Sequence, residues 1–573
     1  MSAKLDAKKD AKKAQQRARY NTTFRKALLV VRRSGIAADL ENRLRSDKGG
    51  RPRQLAVEVL LAACITVFGP GHKTATLVQI HDALTDSLPV SEQLRLGIAK
   101  ATATTLEPVA IHQVRYLFKA VCRALDYSPT TGRVAVGWTS TDANGYRKRI
   151  YRPTTQAERL EREAEAIGYI TRLLAASLRP MPEPTVVALD ASGIRSHARR
   201  VRQTGANPHD DYRLDNSVFV QKPTGGYDPD ARSGHVTPTE AKYDADMIFG
   251  YQLIPASASF GKDSEFRRLQ PIVGLTVVPA NAVQTGPALR VLDNINEVQE
   301  TPLATLVVDR GYTTAVARHW AAPLRARGIE QVLDLTEPQR GPRLDPETGV
   351  LMIDGWPYAP WTPENLRHIA RPQRWILHKP KPNASSRKKT TYERLKADLD
   401  RFRQQHAELA QYALTPNGAP RSNGTRQFKT SRFDAARATA AQRRTKAFRQ
   451  PTLVLGAAVC PEIRQRLRWG SDEWISAWGR RSAVESGYSN LKGPDTERFE
   501  RGTIRVVGLI ATTLMLAFAA VHYNLRLLTK WAAKNDRYNA DPDLLGFDRS
   551  IVGYELVTLD DINQRGSPQA TAA

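Results

Sequence analysis

Apolar residues recur at helical spacing in the segments that follow Arg51. These segments, separated by Gly-Pro or Ser-Pro breaks, are RPRQLAVEVLLAACITVF, TATLVQIHDAL and AIHQVRYLFKAVCRAL. Residues 132–153 surround a polar Asp-Ala-Asn-Gly turn and predict a β-hairpin. A helix over Thr155–Leu178 follows; it opens with a Thr-Gln-Ala-Glu capping box, and three prolines at 180, 182 and 184 end it. We therefore expect a helical N-terminal domain over residues 51–180.

Beyond these prolines the pattern changes to short apolar runs typical of β-strands. The runs are TVVALD (185–190), MIFGYQLI (247–254), PIVGLTVV (271–278) and LATLVVD (303–309), with a helical segment ALRVLDNINEV between the last two. A helix over Thr313–Arg327 and a strand over Ile329–Leu335 follow. Because LATLVVD is apolar on both faces, it predicts a central strand covered on both sides. Residues 181–335 are thus expected to form an α/β sheet domain.

The rest of the chain divides by composition. Residues 336–470 are rich in turns and include a charged helix and a basic stretch, which indicates a separate inserted domain. Residues 471–535 return to apolar helical periodicity. The first fifty residues are dense in Lys and Arg, and their first twenty have few large apolar side chains, so 1–50 is expected to be a largely disordered basic arm. A polar tail is expected over 536–573.

The charge of the chain indicates its class of partner. Lys and Arg number 85 against 58 Asp and Glu, a formal net charge of +27, which favours binding to a polyanion such as nucleic acid. A basic protein that is merely soluble or ribosome-associated is the alternative. The basic stretch 421–449 is the expected DNA contact in the insert, with Arg443, Arg444 and Lys446 as candidate residues, and a solvated surface face is its alternative.

Three cysteines, far apart and in apolar surroundings, form neither a disulfide framework nor a zinc motif, which favours a reducing compartment. The N-terminus shows no apolar core of a secretory signal. The apolar run Val506–Tyr523 is nearly long enough to cross a bilayer, but a buried core helix explains it more simply. A cytoplasmic protein with no membrane partner is the expectation.

Two aspartates close apolar strands. Asp190 ends TVVALD and Asp309 ends LATLVVD. Carboxylates at the ends of buried strands are costly unless something compensates them, and a divalent metal ion does so well. The alternative is that each aspartate caps a following helix.

A third element, ISAWGRRSAVESGYSNLKG, carries a mixed face. On an ideal helix, Trp478, Arg481, Glu485 and Lys492 fall within an arc of about 60°. A salt-bridged surface is the alternative for such a face. The two glycines in this segment count against a stable helix.

The spacing W478-x2-R481-x3-E485-x6-K492 resembles the Tyr-Arg-Glu-Lys signature of a large group of bacterial insertion-sequence transposases, with Trp478 in the place of the usual Tyr. Asp190-Ala-Ser192 is similar to the first acidic motif of that family, and Asp309-Arg-Gly311-Tyr312 to its second. The phrase Gly470-Ser-Asp-Glu-Trp474 is similar to members that carry a large insert. The motifs occur in order over about residues 180–530.

The resemblance implies a DDE transposase with an RNase H-like core, a mixed five-stranded sheet with flanking helices. Asp190, Asp309 and Glu485 would be the catalytic and metal-binding triad, holding two Mg²⁺ ions, for which Mn²⁺ should substitute. Arg481 and Lys492 would contact phosphates near the cleaved end, and Trp478 would either stack on a base or only pack. Segment 336–470 would interrupt the core, which resumes at 471–535 with the Glu-bearing helix.

The implied function is cut-and-paste transposition on double-stranded DNA. The partners would be terminal inverted repeats and target DNA, and a homodimer would pair the two ends. Two other functions stay open: an RNase H-like endonuclease or resolvase without strand transfer, and a transposase-derived DNA-binding protein without catalytic activity. A further acidic patch, Asp228, Asp230 and residues 244–246, is expected to lie in turns at the surface.

Overall fold

The computed structural model describes residues 2–45, 53–68, 74–102, 105–127, 133–141, 147–153, 156–198, 218–221, 228, 230–235, 247–261, 263–313, 315–421, 423–431, 433–456, 465–481, 491, 497 and 503–545. The helices are α1 (Ser2–Ser34), α2 (Ile36–Leu44), α3 (Val57–Thr66), α4 (Leu77–Asp82), α5 (Val90–Arg95), α6 (Ile111–Ala124), α7 (Gln156–Ala176), α8 (Thr285–Val298), α9 (Arg310–Thr313), α10 (Ala321–Ala326), α11 (Ser386–Ala410), α12 (Ala440–Arg443), α13 (Lys446–Arg449), α14 (Asp472–Trp478), α15 (Leu509–Asn535) and α16 (Pro542–Leu545). The strands are β1 (Ala99–Ala101), β2 (Leu106–Pro108), β3 (Arg133–Thr141), β4 (Arg147–Pro153), β5 (Val186–Leu189), β6 (Ser192–Arg195), β7 (Val218–Gln221), β8 (Arg232–His235), β9 (Met247–Ala258), β10 (Ile272–Pro279), β11 (Thr305–Val308), β12 (Glu330–Leu333), β13 (Pro342–Leu344), β14 (Leu351–Ile353), β15 (Trp356–Tyr358), β16 (Thr415–Pro416), β17 (Arg426–Lys429) and β18 (Thr452–Leu455).

A mixed sheet forms the centre of the molecule, and the prediction of an α/β fold is confirmed. Its main path runs β10-β9-β5-β11-β12, while β6 and β8 also pair with β9. The strand β9 is antiparallel to β5 and β10, whereas β11 is parallel to both β5 and β12. The last three residues of β11, Leu306, Val307 and Val308, are apolar and fully buried, as expected for a central strand. The predicted strands therefore meet in one sheet, with β5 and β11 side by side.

The helical elements share a core with this sheet. The helices α7, α8 and α15 pack against β10, and α3 packs against both α1 and α15. Buried apolar residues of all these elements belong to one continuous cluster. Residues 51–180 are therefore not an independently packed domain, and the prolines at 180–184 end α7 without separating two cores. The predicted hairpin over 132–153 is formed by β3 and β4, which are antiparallel.

The prediction of a largely disordered arm over residues 1–50 is wrong for the described part. The helix α1 covers Ser2–Ser34, and from Ala18 onward one side of it is buried, including Tyr20, Phe24 and Val31. Ala, Lys, Gln and Arg, which dominate its first half, are good helix formers even where little is buried. Part of the tail expected over 536–573 is also ordered, because α16 follows Asp541, whose carboxylate forms an ion pair with Arg33 of α1.

The helix predicted over Thr313–Arg327 is broken into α9, a 3-10 turn at Ala317–His319 and α10. The helical block expected over 471–535 is described at its start and again from residue 503. Its first helix, α14, ends at Trp478 and continues as a 3-10 turn over Gly479–Arg481. The face proposed for Trp478, Arg481, Glu485 and Lys492 is therefore described only for its first two members, because 482–490 and 492–496 lie outside the described residues.

The long apolar helix α15 is the one helix in the described part of the chain with the length and composition to cross a membrane. Of its most apolar 18-residue window, 94% is buried inside the protein. Neighbouring elements α3, α7 and β10 cover it. The apolar run is thus accounted for as a core helix, as the sequence predicted.

Residues 336–470 form two small antiparallel sheets and the long helix α11. One sheet has the order β13-β14-β15 and the other β16-β17-β18, and a bridge between Tyr358 and Ala413 joins them. The Trp356 and Phe428 rings meet edge to face between the sheets, 5.6 Å apart. Only Leu399, Phe402, His406 and Leu409 of α11 are buried, so most of this helix faces solvent.

Candidate active site

Asp190 and Asp309 lie side by side at one edge of the central sheet. Each follows the last residue of its strand, and these last residues, Leu189 and Val308, are direct partners in the parallel pair β5–β11. Asp190 lies at the break between β5 and β6, where its Oδ1 accepts a hydrogen bond of 2.7 Å from the backbone N–H of Ala191. The alternative of simple helix caps does not describe Asp190, because a strand follows it.

Arg481 reaches this pair of aspartates from a distant part of the chain. Its Nη2 lies 3.0 Å from Asp309 Oδ2 and 4.0 Å from Asp190 Oδ2. The exposed fractions of the side chains are 20% for Arg481 and Asp190 and 37% for Asp309, so all three are partly shielded from water. The 3-10 turn that carries Arg481 contacts the ends of both β5 and β11. Residues from all three sequence motifs thus meet at one point.

Trp478 is enclosed by protein. Its side chain is 6% exposed, and its ring stacks on that of Trp474 with 5.5 Å between centroids and 8° between planes. The Nε1 of Trp474 donates to the carbonyl oxygen of Leu333, which ends β12. The guanidinium carbon of Arg481 lies 5.5 Å from the centroid of the Trp478 ring. These contacts favour packing over base stacking as the role of Trp478, and they fix the turn that carries Arg481.

Tyr312 belongs to the second acidic motif, but the sequence predicted no role for it. Its ring packs against Trp320 at 4.7 Å, and its hydroxyl is buried without a hydrogen-bond partner among the residues that the structure describes. Burial, and then the negative charges of Asp190 and Asp309, raise the pKa of this phenol. A buried donor with no protein partner beside two carboxylates suits a ligand oxygen at the same place.

Replacing Tyr312 by Phe should therefore change the stability of the fold little and lower the activity. Because no described residue bonds to the hydroxyl, the free energy of unfolding should change by less than about 1 kcal/mol. If the hydroxyl binds a ligand oxygen in the DNA cleavage that the sequence resemblance implies, the rate of that cleavage should fall at least about tenfold. Urea unfolding and a cleavage time course measure the two quantities. An unchanged rate in a normally folded variant would remove Tyr312 from the site.

Asp334 is a third aspartate at the same sheet edge, and the sequence motifs did not predict that it would lie there. It follows Leu333, the partner of Val308 in the β11–β12 pair. Its side chain is fully buried: Oδ1 accepts a 2.9 Å hydrogen bond from Trp469 Nε1, and Oδ2 forms an ion pair with Arg371. Its position near the end of the apolar run IEQVLDL could have identified it from the sequence. Its partners make Asp334 an anchor for segment 336–470.

Aromatic rings continue from this anchor toward the aspartates. Trp375 lies between Phe402, Trp469 and Trp474, with centroid distances of 5.0–5.4 Å. His406 packs on Phe402 in the same cluster, and burial together with the charges of Arg468 and Arg340 lowers its pKa to about 3. The ring is therefore neutral at physiological pH and packs as an aromatic group. This cluster connects segment 336–470 to the helix that ends at Trp478.

The basic candidates of the insert lie on the surface. Arg443, Arg444 and Lys446 are exposed. The Nε of Arg443 donates to the carbonyl oxygen of Ala438, and Lys446 pairs with the exposed Glu347. An exposed pair of this kind contributes at most about 1 kcal/mol, so Lys446 can exchange it for another anion. Their contact with DNA stays a prediction.

Asp190 and Asp309 supply the hard carboxylate oxygens that Mg²⁺ prefers. The Tyr312 hydroxyl, which bonds to no residue in the described part of the chain, suits a bound water or phosphate oxygen. These residues therefore fit a divalent cation. Within the described residues no group of three His, Cys, Asp or Glu side chains is arranged to hold a metal ion. The third predicted ligand, Glu485, and the predicted phosphate contact Lys492 lie outside the described residues.

The expectation that Asp228 and Asp230 lie in surface turns is wrong. Both are buried, and residues 244–246 lie outside the described residues. Asp228 accepts hydrogen bonds from the hydroxyls of Tyr251 and Ser196 and from the N–H of Gly508, and Asp230 accepts one of 2.8 Å from the N–H of Leu509. Burial, and then the charge of Asp230, raise the pKa of Asp228.

The two aspartates bind the free N–H groups at the start of α15, where the helix dipole favours negative charge. Gly508, which precedes the helix, has φ of 101°, a value that favours glycine. The pair is therefore a structural cap and not part of the candidate active site.

No family model matches the chain, and no curated protein or solved structure matches it either.

Proposed function

We propose that this chain is a DNA transposase, which cuts DNA at the terminal inverted repeats of an insertion sequence and joins the freed ends to target DNA. The observation that carries the proposal is the meeting of Asp190, Asp309 and Arg481 within 4.0 Å, although they come from three motifs far apart in the sequence. If the short motifs resembled the family only by chance, their residues would have no reason to meet at one edge of the sheet.

The topology supports an RNase H-like core. Such a core has its first Asp on the first strand and its second on the fourth. Along the main path of the sheet, in chain order β5, β9, β10, β11 and β12, Asp190 follows the first strand and Asp309 the fourth. The helix α8 lies between the third and fourth strands, as expected. Segment 336–470, between β12 and α14, has the position of the inserted domain.

The acidic groups would act together. Asp190, Asp309 and Glu485 would hold the Mg²⁺ ions, which when bound activate the attacking oxygen and stabilise the leaving oxygen of a phosphodiester. Arg481 would supply a fixed positive charge for a phosphate, because a guanidinium binds phosphate oxygens in a forked geometry. The Trp474–Trp478 stack holds its turn in place. The exposed cations Arg443, Arg444 and Lys446 would contact the DNA backbone further from the cut.

The proposal is tested with the full-length protein, Mg²⁺ and duplexes taken from the DNA on either side of its coding region. A transposase should cut at the repeat boundary and then join the freed 3′-OH to a second duplex, which gives a product of new length on a denaturing gel. A nuclease or resolvase would cut without giving that joined product. A protein that only binds DNA would shift the duplexes without cutting them. Either of the last two results would reject transposition as the function.

The same reaction tests the homodimer that we propose for pairing of two ends. In a mixture of a long and a short terminal duplex, a paired complex gives a band of intermediate mobility that contains both. Complexes that hold only one duplex each would contradict the pairing.

A further inference from the structure

The guanidinium of Arg481 occupies the space between the two aspartates from which a cation would be bound. It lies 3.0 Å from Asp309 Oδ2 and 4.0 Å from Asp190 Oδ2, and all three side chains are partly shielded from water. Shielding strengthens the attraction between opposite charges. In this arrangement the negative charge of the aspartates is already balanced in part by the protein itself.

A divalent cation and this guanidinium compete for the same oxygen atoms. Mg²⁺ binds carboxylate oxygens at about 2.0–2.1 Å, so the oxygen nearest Arg481 cannot serve both at full strength. Two positive groups within a few ångströms also repel each other. A cation therefore binds the aspartates well only if the Arg481 side chain moves away from them.

Arg481 has another suitable class of partner. It ends a short 3-10 turn after α14, and its guanidinium lies near the face of the Trp478 ring. The buried Trp474 and Trp478 hold the backbone of this turn, so redirecting the charge requires the Arg481 side chain to change its rotamer. A phosphate of bound DNA offers two oxygens to a guanidinium, in the same forked geometry as a carboxylate, and so can replace one as its partner.

We propose that Arg481 is a latch that couples cation binding to DNA binding. Without DNA it pairs with Asp309 and Asp190 and keeps their affinity for divalent cations low. When DNA binds, Arg481 moves to a backbone phosphate, and the aspartates become available. This inference rests on the proposed function, because it needs DNA and a divalent cation at the same site. Its consequence is that the cleavage site is assembled only on DNA.

The first test measures Mn²⁺ binding to the full-length protein without DNA, from the electron paramagnetic resonance signal of free Mn²⁺. Arg481→Ala should bind Mn²⁺ at least about tenfold more tightly than the wild type, because a competing charge is removed. Arg481→Lys, which keeps the charge, should stay close to the wild type. Arg480→Ala is the matched control, since it removes the neighbouring cation, and it should change the affinity little. Arg481→Gln provides a second neutral variant if Arg481→Ala does not fold.

Adding Asp309→Asn to Arg481→Ala distinguishes a failure of the Arg481 latch from a failure of the proposed metal site. If the double variant loses the Mn²⁺ bound by Arg481→Ala, the aspartates are the binding site. If neutral variants at 481 bind no more tightly than the wild type, and Asp309→Asn in the wild type weakens that binding, the latch is wrong while the metal site stands. If Asp309→Asn changes Mn²⁺ binding in neither background, both the latch and the proposed metal site are rejected.

The second test measures affinity for a terminal duplex in EDTA. Asp309→Asn removes the carboxylate charge nearest Arg481, so it should tighten DNA binding several-fold more in the wild type than in the Arg481→Ala background. This difference between backgrounds is the coupling between the two residues. Equal effects in both backgrounds would mean that Arg481 does not move from Asp309 to a phosphate, and would overturn the latch.

Discussion

Asp309→Asn is expected to lower the rate of DNA cleavage in Mg²⁺ at least about a hundredfold without weakening affinity for the terminal duplex. Asn has nearly the same shape but lacks the charge that holds a divalent cation. Asp190→Asn should have an effect of the same size, because the two carboxylates lie at the ends of neighbouring strands. The measurements are a cleavage time course and a gel-shift titration of the same preparations.

The double variant Asp190→Asn, Asp309→Asn should cut hardly more slowly than either single variant, because residues that act as one unit give non-additive losses. Asp293→Asn is the matched control. It removes a partly exposed carboxylate of α8 that pairs with Arg327, away from the sheet edge, and should cut at the wild-type rate. Full cleavage by Asp309→Asn would show that this aspartate takes no part in the chemistry. A similar large loss in Asp293→Asn would point to general damage.

Glu497→Ala is expected to reduce the free energy of unfolding by about 3–5 kcal/mol, because it leaves the largely buried Arg526 guanidinium without its carboxylate. The Glu497 side chain is fully buried, and its two oxygens accept hydrogen bonds of 2.9 Å from Arg526 and of 3.0 Å from the His522 ring when Nδ1 carries the proton. Urea unfolding monitored by tryptophan fluorescence measures the loss. As a control, Glu265→Ala, which breaks the exposed pair with Arg537, should cost less than about 1 kcal/mol.

The contribution of Glu497 should also depend on pH. Burial alone would raise the pKa of this carboxyl, but hydrogen bonds and charges from His522 and Arg526 outweigh it and hold the pKa below the ordinary value. A depressed carboxyl pKa stabilises the fold above the unfolded-state pKa of about 4.3, and the stabilisation is lost as pH falls through the lower folded value. The stability difference between the wild type and Glu497→Gln should therefore be full at pH 7 and shrink below about pH 4. A difference that stays constant with pH would contradict this assignment.

The strands of the central sheet and the aspartates at the ends of β5 and β11 could be predicted because they depend on local patterns. The runs TVVALD and LATLVVD are too apolar for the surface, and an Asp at the end of each marks where the chain leaves the sheet. That β5 and β11 are neighbours depends on topology, which no short run encodes. Asp334 has the same local pattern, but its contacts with Trp469 and Arg371 make it an anchor for segment 336–470.

Other features could not be predicted because their partners are distant in sequence. Asp228 and Asp230 stand in Gly- and Pro-rich sequence, and their burial depends on N–H groups of Gly508 and Leu509, about 280 residues away. The order of α1 comes from contacts with α3 and α7 that its own composition does not reveal. The positive charge of Arg481 likewise did not predict its contact with Asp190 and Asp309.

The contact between Asp334 and Trp469 has a consequence for how the chain accommodates segment 336–470. The residue just before the segment and one at its end are joined by a 2.9 Å hydrogen bond, so the segment leaves the sheet and returns at the same place. For a loop whose ends already meet, the entropy of closure grows only with the logarithm of its length. The core therefore tolerates changes in the size of this segment at little cost, provided that the Asp334–Trp469 junction is kept. Such a junction is where related chains could gain or lose whole modules without refashioning the sheet beneath them.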